Sequence, residues 1–312
     1  MAQVLTIIVP VFALIALGFA AGRQRYFGTE ASKSINEYTF SLAVPAFLFR
    51  SMSRLEVSEI PIDLWVSFFG AAIVTWVTAT VLTAHVLVRP ATDAAAIAMS
   101  SCFGNVVMLG IPLSVAAFGE TAAAPAALLV AIHTPLLFFT GSLHQALVAE
   151  PRETSMMMIA CDLFAELSRN PIILAILAGV LWRLTGLGLH PAVDRVLMML
   201  GQSAVATSLV GLGLSLVNFE IKGQVPTLSM ILVLKLALMP SVAWLLAVHV
   251  MALPPVAAAV VVLFAAMPTG ANAYLFAMRH GRAVNSASGA VALGTMLAIV
   301  TTSVIVAGFG GR

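Results

Sequence analysis

The chain has 312 residues, 61% of them hydrophobic and 9% charged, with a formal net charge of +2. An ordinary soluble domain carries roughly 25% charged residues, so a water-soluble globular protein is excluded, and so small a net charge points to no nucleic-acid partner. Two cysteines, Cys102 and Cys161, make no disulfide framework, and no CxxC, HExxH, Walker or GxSxG pattern is present, so neither a metal site nor a cofactor nor an enzyme is expected.

The first apolar run, 4–22, follows Met1-Ala2-Gln3, which lacks a basic leader, and ends at Arg23 and Arg25. It reads as a transmembrane helix rather than a cleaved signal. About 20 apolar residues cross the hydrocarbon, and nine further segments qualify: 34–53, 63–88, 94–118, 122–148, 170–186, 192–217, 225–250, 255–279 and 285–309. The long connection 149–169 separates the fifth from the sixth. Its middle, 156–167, mixes apolar residues with Asp162 and Glu166 and reads as a short helix lying in the membrane interface.

The expected fold is therefore an all-α polytopic membrane protein with ten spans. Two five-helix repeats, 1–149 and 170–312, flank a cytoplasmic linker, 150–169. At a spacing of 161 residues Pro10 matches Pro171, Gly18 matches Gly179, Ala43 matches Ala204 and Glu59 matches Glu220; at 162, Gly119 matches Gly281. Five spans per repeat is odd, so the second repeat enters from the opposite side and the repeats are inverted. The odd-numbered connections hold nine basic residues (Arg23, Arg25, Lys33, Arg89, Arg152, Arg169, Lys222, Arg279 and Arg282). The even-numbered ones hold four: Arg50, Arg54, Arg183 and Arg195. The positive-inside rule then puts both termini, including Arg312, outside the cytoplasm.

Two spans are interrupted. The fourth contains Gly104-Asn105 and, further on, Gly110-Ile111-Pro112; the ninth contains Pro268-Thr269-Gly270-Ala271-Asn272. Breaks of this kind survive in lipid only where they are packed in protein or line a wet cavity, and one in each half marks a transporter's substrate site. Asn105 and Asn272 offer donors and acceptors to a substrate or to freed backbone groups. Gly104, Thr269, Gly270 and Ala271 have little bulk and admit a ligand to the backbone. Gly110, Pro112 and Pro268 are read as shaping the breaks. Tyr274 either covers the site or packs in the core. Half-helix N-termini at the breaks favour an anion.

Lys235 sits mid-span in Leu234-Lys235-Leu236, where a charge costs about 2.5–3.5 kcal/mol on insertion scales. It lies too far from either end to snorkel. It is either a counter-charge for an anion, a titrating group, or a packed lysine bonded to backbone carbonyls. His133 is either a proton relay or, as the commoner case, a hydrogen-bonded core histidine.

The stretch Gly104-Asn105, with Leu109-Gly110-Ile111-Pro112-Leu113, Pro268, Asn272-Ala273-Tyr274 and Arg279-His280-Gly281, resembles the auxin efflux carrier family. Gly22-Arg23 and Pro45 extend the likeness over nearly the whole chain, and Pro268-Thr269-Gly270-Ala271-Asn272 is similar to its bacterial malonate-carrier branch. Val106, Val107 and Met108 depart from the Thr and Gly usual after the first Asn. The resemblance implies a fold similar to bile acid sodium symporters, with broken helices 4 and 9 crossing. It implies a scaffold and dimer surface from spans 1, 2, 6 and 7, and a transport domain from spans 3–5 and 8–10 moving as an elevator. Plant members move the auxin anion; bacterial members are associated with malonate and malate. The function expected is a secondary carrier of a small organic anion in the cell inner membrane, with homodimerisation through the scaffold. An anion channel or a non-transporting receptor is the alternative; unitary currents, or binding without flux, would identify these.

Overall fold

The computed structural model describes residues 2–54, 62–148, 161, 164–165, 167–220 and 224–309. Asp162 and Glu166, most of the expected interfacial helix, Glu59, Arg152, Lys222 and Arg312 lie outside the described residues. Among the described residues the structure is helical, and the β geometry is limited to one isolated bridge. Six helices among the described residues are long and apolar enough to cross a membrane by length and composition. An unbroken helix satisfies its backbone polar groups internally, as hydrocarbon requires. Apolar side chains such as Leu17, Ile73, Val300 and Val304 stay exposed on these helices, a surface suited to lipid rather than water.

Helix ends follow local signals. Asn170 caps Pro171–Leu184, its side-chain oxygen accepting from the Ile172 and Ile173 N–H groups at 3.0 and 3.4 Å, with Pro171 at the first turn where no N–H is needed. Gly281, at φ 63°, ends Ala271–His280 in the left-handed conformation. The second helical segment begins at Thr29, earlier than the apolar run at 34. Its first turns are amphipathic rather than apolar, which hydropathy does not register.

The chain forms two compact units. The first comprises Met1–Pro61, Val107–Ala131 and Ala165–Asn218. In it Ala2–Arg23 packs along Pro191–Leu216, and Val44–Ser53 along Pro171–Leu184. Glycines set both contacts. A Cβ on Gly18 would collide with the Val210 backbone, and one on Gly179 would lie 2.7 Å from the Phe49 carbonyl oxygen. Gly179 and Val210 stand 161 residues after Gly18 and Phe49. The two contacts thus share one spacing, with the glycine on the earlier helix in one and on the later helix in the other. At the start of Pro191–Leu216, Asp194 accepts from Arg50 Nε at 2.8 Å and pairs with Arg54, a carboxylate placed at the positive end of a helix.

The second unit comprises Ile62–Val106, Ile132–Phe164 and Phe219–Arg312. Two short helices lie inside it. Ala91–Cys102 is buried from Asp93 to Cys102, and Pro255–Ala265 from Ala258 to Ala265. Alanine and small polar residues dominate the first and alanine and valine the second, which lets each helix be enclosed. Asp93, in the first turn of Ala91–Cys102, accepts from Arg89 Nε at 2.9 Å. Arg89 also donates to Gln224 and Thr227 at 3.0 Å each, and Arg282 approaches Asp93 at 3.7 Å. This network ties the ends of four segments together.

Candidate functional site

Both enclosed helices stop inside the second unit. Ala91–Cys102 ends at Phe103, whose backbone is extended at φ −75°, ψ 103°. Pro255–Ala265 ends at Ala266, and helix resumes at Ala271 after Gly270 at φ −82°, ψ 153°. The two breaks meet as a minimal antiparallel ladder. The Asn105 N–H donates to the Pro268 carbonyl at 2.8 Å, the Gly270 N–H donates to the Phe103 carbonyl at 2.9 Å, and Gly104 faces Thr269 between them. Two backbone groups of each break are thereby satisfied by the other, as a water-poor interior demands.

The position of Gly104 and Thr269, opposite each other but not bonded, is the closer of the two antiparallel spacings. That is why small residues are needed here. A Cβ on Gly104 would lie 3.2 Å from the Met267 Cβ and 3.3 Å from Lys235 Nζ; one on Gly270 would lie 3.1 Å from the Gly104 oxygen and 3.1 Å from Phe103 Cδ1. In this state the space beside Gly104 and Gly270 is filled by the facing break and by Lys235. The sequence assigned that space to a ligand.

The ends of the enclosed helices are capped from elsewhere in the unit. The Thr269 hydroxyl donates to the Ser100 carbonyl at 2.8 Å, near the end of Ala91–Cys102. Lys235 is 0% exposed, and its ammonium donates to the Ala265 carbonyl at 2.7 Å and to Met239 Sδ at 3.1 Å. Of the readings open for Lys235, the lysine bonded to a backbone carbonyl is the one observed here. A cation at the last carbonyl of a buried helix meets the negative end of its dipole, which offsets part of the desolvation. No carboxylate pairs with Lys235 among the described residues.

The two asparagines are not equivalent. Asn105 is buried within the first break, whereas Asn272 is exposed in the first turn of Ala271–His280. That helix has no side-chain N-cap, and Ala271 is half-buried, so its N-terminus is reachable. Gly110 and Pro112 lie beyond the break, after helix has resumed through a wide π turn at Val106–Gly110. Pro268 is in the break itself and supplies its carbonyl to the ladder. Tyr274 is half-buried and stacks edge-on against Phe219 at 5.2 Å, a packing contact.

His133 was read from the sequence as either a proton relay or a hydrogen-bonded core histidine. It is 1% exposed, and neither ring nitrogen has a hydrogen-bond partner among the described residues, so the hydrogen-bonded core histidine is overturned. Its neighbours are Phe68 and Phe103, at centroid distances of 5.8 and 4.4 Å. The signal in the sequence was its mid-span position; its lack of a partner is a fact of packing that no spacing encodes.

Residues 3–306 match a family model described as "Membrane transport protein". Over 304 residues the chain is 25% identical to a protein of Rhizobium meliloti (strain 1021) named "Putative malonate transporter", covering 97% of this chain and 95% of that one.

Proposed function

The chain belongs to the auxin efflux carrier family of membrane transport proteins, so it is a multi-pass transporter and not an enzyme, and from that premise we propose that it is a secondary carrier of small carboxylate anions, malonate foremost. The observation that carries the reading is the meeting of two broken helices at the Gly104–Thr269 bridge, inside the second unit, with the buried ammonium of Lys235 against it. Helix interruptions and a charge buried among apolar helices are costly, and such costs are commonly borne at functional sites.

The uncapped start of Ala271–His280 is the proposed anion seat. N–H groups of a first helical turn, with the positive end of the dipole, bind carboxylates, and the exposed Asn272 amide adds a donor. Lys235 supplies charge once an anion draws it from Ala265. Asn105 and Thr269 hold the ladder that positions both. The relative named for malonate supports this substrate class.

For the motion, we propose an elevator in the cell inner membrane, with both termini outside the cytoplasm and a homodimer formed through the scaffold. Support comes from the division into two units, the first holding spans 1, 2, 6 and 7. Val107–Ala131, which the sequence reading placed wholly with the moving part, clusters with the first unit. The reciprocal glycine contacts of Gly18 and Gly179 support the inverted repeat.

The test is uptake of labelled malonate into proteoliposomes, with Asn272→Ala alongside. Saturable uptake is expected in the natural protein and an uptake loss of about tenfold or more in Asn272→Ala, the scale of one charge-assisted hydrogen bond. Equal uptake in the two would remove the helix start from the site, and absence of saturable malonate flux in the natural protein would remove the substrate.

A further inference from the structure

His133 occupies a place where a polar side chain has no structural use. The imidazole is enclosed within Ala123–Val148, with both nitrogens unpartnered and aromatic rings beside it. Leaving such groups unsatisfied costs about 1–3 kcal/mol, whereas an apolar side chain of similar shape would be neutral or stabilising there. Buried polar atoms without partners call for an explanation in water, ion or ligand.

The position supplies one. The Phe103 ring lies against His133, with centroids 4.4 Å apart. The same ring lies against the second break, since a Cβ on Gly270 would be 3.1 Å from Phe103 Cδ1. The Phe103 ring therefore lies against both the imidazole and the break that precedes Ala271–His280. The Phe103 backbone is held, the N–H donating to the Met99 carbonyl at 2.8 Å and the carbonyl accepting from the Gly270 N–H at 2.9 Å, so access to the imidazole requires rotation of the ring alone. Lys235, whose Nζ lies 3.3 Å from where a Cβ on Gly104 would stand, uses two of its three N–H groups on Ala265 and Met239.

We infer that His133, screened by the Phe103 ring, is the specificity-determining contact for the second carboxyl group of a dicarboxylate. The inference rests on the anion-carrier reading above and names the substrate class within it. The first carboxylate sits at the start of Ala271–His280. When the Phe103 ring moves aside, the second reaches the imidazole, whose N–H donates without needing a charge. A monocarboxylate has no group to place there. Rejection of a ligand that leaves a buried donor unpaired is the strongest form of discrimination a pocket has.

The experiment is equilibrium binding of malonate and of acetate to the purified full-length carrier, compared with His133→Phe and His133→Gln. The unfolding temperature of each is measured without ligand. His133→Phe is expected to keep or raise the unfolding temperature while weakening malonate by about tenfold or more, the equivalent of one good hydrogen bond, and leaving acetate unchanged. His133→Gln, which keeps a donor and an acceptor, is expected to recover part of the malonate affinity. Unchanged malonate affinity in His133→Phe overturns the inference, and so does a parallel fall for malonate and acetate. A natural protein that binds neither acid overturns the carboxylate reading itself, so the two failures are distinct.

Discussion

Lys235 donates to Ala265 and Met239 from a fully buried position, and removing it exposes what it does. Lys235→Met keeps the apolar stem but leaves the Ala265 carbonyl without its donor, at a cost of about 1–3 kcal/mol. We expect a lower unfolding temperature together with weaker malonate binding; an unchanged unfolding temperature would show that another donor takes the carbonyl. This residue was legible in the sequence, because a mid-span lysine stands out against leucines. Its partner was not, because the carbonyl belongs to a residue 30 positions away and only the fold brings it there. The asparagines show the opposite failure. Both were found, but they were taken as equivalents, and only the backbone distinguishes a residue inside a break from one a turn into a helix.

Three helices contain the same device. A π turn at Thr39–Ala43 precedes Pro45, one at Val106–Gly110 precedes Pro112, and one at Leu234–Leu238 precedes Pro240. Proline lacks an N–H and its ring clashes with the carbonyl four residues earlier; widening the preceding turn moves that carbonyl away. Periodicity in the sequence reveals the helix and the proline, but a single added residue per turn is too small a phase shift for hydropathy to register. The Leu234–Leu238 turn carries Lys235, so it sets the direction of the ammonium. Pro240→Ala permits a regular helix, which by propensity favours the folded state by up to about 3 kcal/mol. It should therefore keep or raise the unfolding temperature while transport falls, because Lys235 is turned away from Ala265. Full malonate uptake in Pro240→Ala would show that the wide turn has no part in aiming the ammonium.

At the scale of the whole molecule, the proposed repeat keeps one spacing where glycines are needed for contact and another where the breaks lie. Gly18 with Val210, and Gly179 with Phe49, keep the spacing of 161 residues. In the ladder, Phe103 corresponds to Pro268 and Asn105 to Gly270, a spacing of 165. The register shifts by four residues between the two places, and no gapless comparison could align both. The breaks themselves were visible as glycine and proline inside apolar runs. That they pair with each other was not, since two hydrogen bonds between backbone atoms carry no side-chain signature.

The bond between Lys235 and Ala265 also has a kinetic consequence. Without an anion, the ammonium and the end of the enclosed helix clamp one another, and any rearrangement of the breaks must part them. A bound anion that takes the ammonium releases the clamp. On the carrier reading proposed above, the loaded protein reorients faster than the empty one, and one-for-one swapping of anions outpaces net movement. Efflux of labelled malonate from proteoliposomes should quicken when unlabelled malonate is added outside, and Lys235→Met should erase that acceleration by letting the empty protein return as readily as the full one.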